Sequence, residues 1–260
     1  MNPRKSRAGV RAAPARGGHP LRVLALLAIV LPWTTGALAA DARATRVDFV
    51  AVEDAKAKKV PRACRIGVQV GLARPSMRAV DRYTDWIAST FPARLPAMDE
   101  AVDGGVQFDC AIDNDWRVGV AWRGGRADTS GTVAGQRFGI AASFSGGELL
   151  VARRLVRSTT GINLDALTAV GLYRSSYRES EGEWRVRGSD RAPGFRIGVE
   201  ASWPVSSTLE LFARVEHLWL RFDDYRDAGG RISFVSPGAP RATVDFSGPA
   251  LGVGVRWTLR

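Results

Sequence analysis

The sequence predicts an all-β fold: a closed, antiparallel, up-and-down transmembrane β-barrel of eight strands, with long external loops and short periplasmic turns. Three observations predict it. Apolar residues recur at every second position in segment after segment beyond residue 60. The links between those segments alternate strictly between short and long, the pattern of a barrel with tight turns on one side and larger loops on the other. Five tryptophans fall on the apolar phase at strand ends, where aromatic girdles belong.

Residues 1–40 read as a cleaved signal peptide. Arg4, Lys5, Arg7, Arg11, Arg16 and Arg22 form a basic stretch with no acid, and the apolar run LRVLALLAIVL covers 21–31. Ala37-Leu38-Ala39 then offers small residues to a signal peptidase. An uncleaved anchor is the alternative, against which the short run and Pro32 argue. Six of the 37 basic residues lie in this leader, leaving 31 against 26 acids and a net charge of +5 instead of +11. No basic block of nucleic-acid-binding type remains, so no nucleic-acid partner is expected. Residues 41–62, polar and lysine-rich at 55–60, read as a periplasmic N-terminal segment leading into a barrel over 63–260.

The strands are expected near 64–73, 105–113, 116–124, 148–157, 162–175, 194–203, 208–222 and 242–259. In the first, Cys64, Ile66, Val68, Val70 and Leu72 alternate with Arg65, Gly67, Gln69 and Gly71. The others follow the same rule, except that Arg153 and Arg154 leave the phase of 148–157 undecided. Short links fall at Asn114-Asp115, Ser158–Gly161 and Pro204–Ser207, and long loops are expected at 74–104, 125–147, 176–193 and 223–241. In the first loop, Val80, Tyr83, Ile87 and Phe91 have helical spacing before Pro92. A helix packed on the barrel rim is the plain reading, and a lid or partner-binding helix the other.

Alternation alone does not say which phase faces inward. The polar phase combines glycines (Gly67, Gly71, Gly119, Gly198, Gly252, Gly254) with charges, which suits a narrow lumen better than a watery surface. The lumen charge network is expected to comprise Arg65, Asp109, Arg117, Arg196, Glu200, Arg214, Glu216 and Arg256. Eight strands leave an interior just wide enough for side chains to fill, and buried charges must pair. Trp116, Trp203 and Trp257 then fall at the periplasmic end, and Trp122 and Trp219 at the outer end. Leu209 to Trp219 spans roughly 34 Å of strand, which tilted by about 40° covers roughly the 25 Å apolar band of such barrels.

The strands resemble those of the OmpA/OmpX-type outer-membrane β-barrel superfamily. Ile112-Asp113-Asn114-Asp115-Trp116-Arg117-Val118 is similar to its strand, tight Asn/Asp turn, aromatic, strand pattern, and Phe195–Trp203 through Pro204 into Thr208–Phe222 resembles its penultimate hairpin. The C-terminus resembles its assembly signal at Gly254, Trp257 and Leu259, departing at Val253, in ending on Leu rather than Phe, and in the appended Arg260. The resemblance covers about 64–260 and implies outer-membrane location, with the barrel-assembly machinery, outer-membrane lipid and lipopolysaccharide as partners and an extracellular ligand held by the loops.

No nucleophile motif, metal cluster or phosphate loop stands out, and no cofactor is expected. The exported part has one histidine, His217, on the lipid-facing phase. A non-enzymatic protein of envelope integrity or loop-mediated binding is therefore expected. A narrow small-solute channel and a lipid-modifying enzyme are the alternatives. Cys64 opens the first strand and Cys110 closes the second, both at the periplasmic end and on the outward phase. Facing residues of antiparallel neighbours have Cβ atoms about 4.5–5.5 Å apart, close enough for a disulfide after slight adjustment. Two free lipid-facing thiols are the alternative.

Overall fold

The computed structural model describes residues 63–158, 161–227, 229–232 and 242–259. The expected signal peptide and the segment 41–62 lie outside the described residues. Eight long strands form the body: β1 (Cys64–Ala73), β3 (Ala101–Ala111), β4 (Trp116–Val133), β5 (Gln136–Arg157), β6 (Asn163–Glu181), β7 (Trp184–Pro204), β8 (Leu209–Phe222) and β12 (Gly248–Leu259). Helix α1 (Arg78–Thr90) and the two-residue strand β2 (Ala93–Arg94) lie between β1 and β3, while β9 (Arg226–Asp227), β10 (Gly230–Arg231) and β11 (Val244–Asp245) lie between β8 and β12.

Every neighbouring pair of long strands is antiparallel, and β1 pairs β12 from Cys64↔Leu259 to Ala73↔Ala250. With β7 also paired to β8, the ring closes as an eight-stranded barrel. Closure matters because the outward face is apolar: Val68, Val118, Leu149, Val170, Ile197, Val215 and Val253 are all exposed. Such a surface is stable in lipid, and lipid tolerates no unpaired sheet edge.

The short turns form where the sequence supplies local acceptors. Asp113 Oδ1 accepts from the backbone N–H of Asp115 at 2.8 Å and of Trp116 at 2.7 Å. Ser206 Oγ accepts from Leu209 N at 3.0 Å. Both arrangements are side-chain mimics of a backbone turn.

Two expected loops are corrected. Residues 125–147 and 176–193 are not loops: β4 and β5 run on to a two-residue turn at Ala134-Gly135, and β6 and β7 to one at Gly182-Glu183. Ala134 and Gly135 both have positive φ, 47° and 83°, the geometry whose twist suits a two-residue hairpin. At 22 residues β5 is roughly twice the 9–11 needed to cross a bilayer. The strand expected from 105 begins at Ala101, and the one expected from 242 begins at Gly248, preceded by β11.

The physical reason is an inversion of phase at the membrane boundary. Lower on the barrel, Leu149 and Val151 of β5 face lipid; beyond Gly146-Gly147, the apolar residues Phe138, Ile140, Ala142 and Phe144 face inward. The same switch separates Leu172, outward, from Tyr173 and Tyr177, inward. Where the surroundings change from lipid to water, the hydrophobic side must change from the outer face to the inner one. A single rule of apolar-outward therefore reads the upper half as irregular.

Candidate functional site: the two-storey barrel interior

The lower storey is a closed charge network. All eight residues expected there are inward and buried: Arg65, Asp109, Arg117, Arg196, Glu200, Arg214, Glu216 and Arg256. Asp103, Arg123, Glu148, Arg154, Asp165 and Glu210 join them through ion pairs. Among the described residues the lower storey thus holds seven arginines against seven carboxylates, which lets an apolar-walled tube carry many charges without net charge there.

The pairs form one continuous path. Arg65 meets Asp109 at 2.8 Å and Glu210 at 2.9 Å, and Arg117 reaches Asp165 at 2.7 Å. Arg154 holds the other oxygen of Asp165 at 2.6 Å. Glu200 is a hub between Arg214 at 2.6 Å and Arg256 at 2.7 Å. Arg214 also donates to Gln69 and Gln107, each at 2.7 Å. Arg196 clasps Glu148 through three contacts of 2.6–3.0 Å and reaches Glu216 at 2.7 Å. Arg123 links Glu216 to Asp103. Arg117 Nε and Arg256 Nε face Asp109 at 3.4 and 3.9 Å, ion pairs without an aligned hydrogen bond.

Small residues make room for this packing. A Cβ on Gly198 would stand 2.6 Å from Glu216 Cβ. Gly254, expected as part of an assembly signal, lies against the ring of Phe212. Phe212 itself is inward, with the guanidinium carbons of Arg256 and Arg214 at 4.5 and 5.3 Å from its centroid, a favourable cation–π arrangement in a dry interior.

The upper storey is apolar. Inward residues of β5, β6 and β8, among them Phe138, Phe144, Tyr177 and Phe222, form one core with Met77, Val80, Tyr83 and Ile87 of the α1 region. The helix expected from its spacing therefore fills the outer opening, although Phe91 lies just past its end and is exposed. Polar ties cross this core, Ser175 to Tyr225 and a pair centred on Glu179. Tyr83 Oη donates to Glu179 Oε1 at 2.6 Å and Tyr177 Oη to Glu179 Oε2 at 2.8 Å. Burial pushes the Glu179 carboxyl above its ordinary range, and no cation pairs with it among the described residues.

Of the other expected residues, Trp116, Trp122, Trp219 and Trp257 are exposed on the outer face and Trp203 is partly so. Arg153 lies over Trp116, 5.3 Å from the ring centroid. Trp257 faces Ile66 and Leu209 across its neighbours, and Leu259 faces Cys64. Cys64 and Cys110 are direct cross-strand partners, 4.0 Å apart at Cα, and joined as a disulfide. His217 stacks beside Trp219 at 4.3 Å, on the outer face and away from the charge network.

Several network members were missed for identifiable reasons. Arg123 and Glu210 share the phase of Arg117 and Arg214, so parity alone places them inward. Glu148 lies on the strand whose phase was undecided, and it is inward with Leu150, Ala152 and Arg154. A bulge between Arg154 and Val156 explains why that strand read ambiguously. Asp103 fell within an expected loop.

The fold and interior define an eight-stranded transmembrane β-barrel with a charge-packed lower interior and a helix packed into its upper core. No family model matches the chain, and no curated protein matches it. Among solved structures it is similar to the outer membrane protein OprG from Pseudomonas aeruginosa, at 8% identity and TM-score 0.44 over 76% of this chain and 97% of that one. It is also similar to Ail of Yersinia pestis in complex with the heparin analogue sucrose octasulfate, at 10% identity and TM-score 0.42 over 76% of this chain and 100% of that one. A third is the outer membrane protease OmpT from Escherichia coli, at 9% identity and TM-score 0.42, covering 77% of this chain and 98% of that one.

Proposed function

We propose that this protein is a non-enzymatic, non-conducting barrel of the bacterial outer membrane, exported by a cleaved signal peptide. Its role is envelope integrity or binding through its extracellular surface. The observation that carries the reading is the filled interior: seven arginines paired among seven carboxylates below and an aromatic core with α1 above. A path for solute would require breaking several buried ion pairs and displacing the helix. Function then falls to the outer surface and to the long hairpins β4–β5 and β6–β7, which stand in water beyond the lipid band. The lone exported histidine faces outward beside Trp219, which supports a non-enzymatic reading over acid–base catalysis in the lumen.

Planar-bilayer recording of the purified protein tests this directly. A flat baseline at moderate voltage is expected. Reproducible unitary conductance would replace this reading with the narrow-channel alternative.

A further inference from the structure

The outward face of the external sheet carries positive charge that the fold does not use. The last lipid-level rung across β4–β7 is Trp122, Gly147, Leu172 and Pro193. On the next rung Arg174 stands directly opposite Arg191, and two rungs further Arg178 stands directly opposite Arg187. Like charges facing across an antiparallel pair destabilise it. All four side chains are exposed, and none has an ion pair among the described residues. Arg126, Arg137 and Arg185 border the same face, where Asp128 is the one acid on the outward phase. Small residues separate them: Gly139 and Ala141 line a groove of about 380 Å³ bordered by Arg178 and Arg187, and Ser143 and Ser176, joined Oγ to Oγ at 2.9 Å, lie on the rung between the two arginine pairs.

We propose that this arginine face binds the phosphorylated sugar headgroup of a glycolipid in the outer leaflet of the surrounding membrane. The proposal rests on the reading that the long hairpins face the cell exterior. Height selects the occupant. The first arginine rung abuts the last lipid-facing one, so its guanidiniums lie at headgroup level and point sideways into the leaflet. From Arg174 to Arg178 the strand advances about 13 Å, or about 10 Å along the membrane normal at the tilt of such strands, enough to span phosphates at two depths of one headgroup. Guanidinium pairs suit phosphate because their forked N–H groups match its oxygens.

The test uses the full chain folded into phosphatidylcholine vesicles containing a bisphosphorylated lipid A-type glycolipid, its dephosphorylated counterpart, or neither. Bound glycolipid is counted by native mass spectrometry after gentle extraction. Wild type should retain the phosphorylated form selectively. The R174S/R178S/R187S/R191S variant should lose at least roughly tenfold in affinity, since each lost guanidinium–phosphate contact is a charge-assisted hydrogen bond. The four side chains are exposed on the outer face and take no part in the barrel interior, so heat-modifiable electrophoretic mobility should show an intact barrel. If that variant does not fold, R174S/R191S and R178S/R187S separately serve the same comparison. Equal retention by variant and wild type, or equal retention of the dephosphorylated glycolipid, overturns the proposal. So does displacement of the glycolipid by a soluble sulfated polysaccharide at matched charge, which would mean that the face reads a soluble partner. Conductance measured on the same preparation would sink the sealed-barrel reading without touching this one.

Discussion

Replacing Arg196 by Met isolates the strongest clasp in the lumen. Arg196 is 1% exposed and makes three hydrogen bonds to Glu148 and one to Glu216. Glu216 keeps Arg123 and Arg214 in the variant, but Glu148 keeps only the hydroxyl of Tyr173 as a hydrogen-bond donor and has no ion pair among the described residues. The substitution therefore strands one buried carboxylate. Four hydrogen bonds to charged groups would total about 6–12 kcal/mol gross, but protonation and relaxation of Glu148 recover part of that. Breaking one side of a buried pair costs about 3–5 kcal/mol net, and we expect that range for Arg196→Met. The double variant Arg196→Met/Glu148→Leu should recover most of the loss, because it removes the stranded charge together with its partner. Urea titration in detergent micelles or thin bilayers, followed by tryptophan fluorescence, measures both. A single-variant midpoint equal to wild type would refute the claim that these charges hold the barrel together. A double variant as unstable as the single one would refute the reasoning from a stranded carboxylate.

Arg214→Ala should also destabilise by a few kcal/mol, with Glu200 the residue that couples to it in a double-mutant cycle, since Glu200 lies 2.6 Å from its guanidinium. Liposomes containing the protein should not swell in iso-osmotic sugar, and swelling would show a lumen wider than the packed one. Intact mass under thiol-blocking conditions should show no alkylated cysteine. Across a separation of 46 residues, Cys64→Ser with Cys110→Ser should cost up to about 4 kcal/mol in the chain-entropy model. Unchanged stability would mean that the unfolded chain gains little freedom. The helix cap should respond to pH through Glu179, which faces Tyr83 on α1 and Tyr177 and Glu181 on its own strand. Its folded pKa is raised, so the folded state binds the proton more tightly than the unfolded one. The cap is then most stable below the ordinary glutamate value of 4.5 and loosens as pH rises from there through the raised value. Amide protection across 78–90, taken relative to the intrinsic exchange rate at each pH, should fall over that window in wild type and stay flat in Glu179→Gln. A comparable fall in the glutamine variant would assign the effect to another group.

Much of the lower barrel was legible in the sequence because lipid imposes one rule on every strand. A bilayer requires apolar residues outward, so the alternation of Ile66, Val68, Val118, Val120, Ile197 and Val199 specifies strands, and the opposite phase specifies the lumen. Parity alone brings Arg65, Arg117, Arg196, Arg214 and Arg256 to one interior. It also puts Cys64 and Cys110 at the same end of adjacent strands. Parity does not say which arginine clasps which carboxylate. Glu148 belongs to Arg196 because their strands are brought to register on either side of β6, 48 residues apart, and Arg214 reaches Gln69 over β12 at a separation of 145. The upper half escaped sequence reasoning because its rule is reversed: Phe138, Ile140 and Phe144 turn inward once their strand leaves lipid for water. The height at which that reversal falls depends on how eight strands share one membrane boundary, a property of the closed barrel that no single strand carries. The same holds for the arginine face, whose members come from separate segments and become neighbours only through the pairings Arg174↔Arg191 and Arg178↔Arg187.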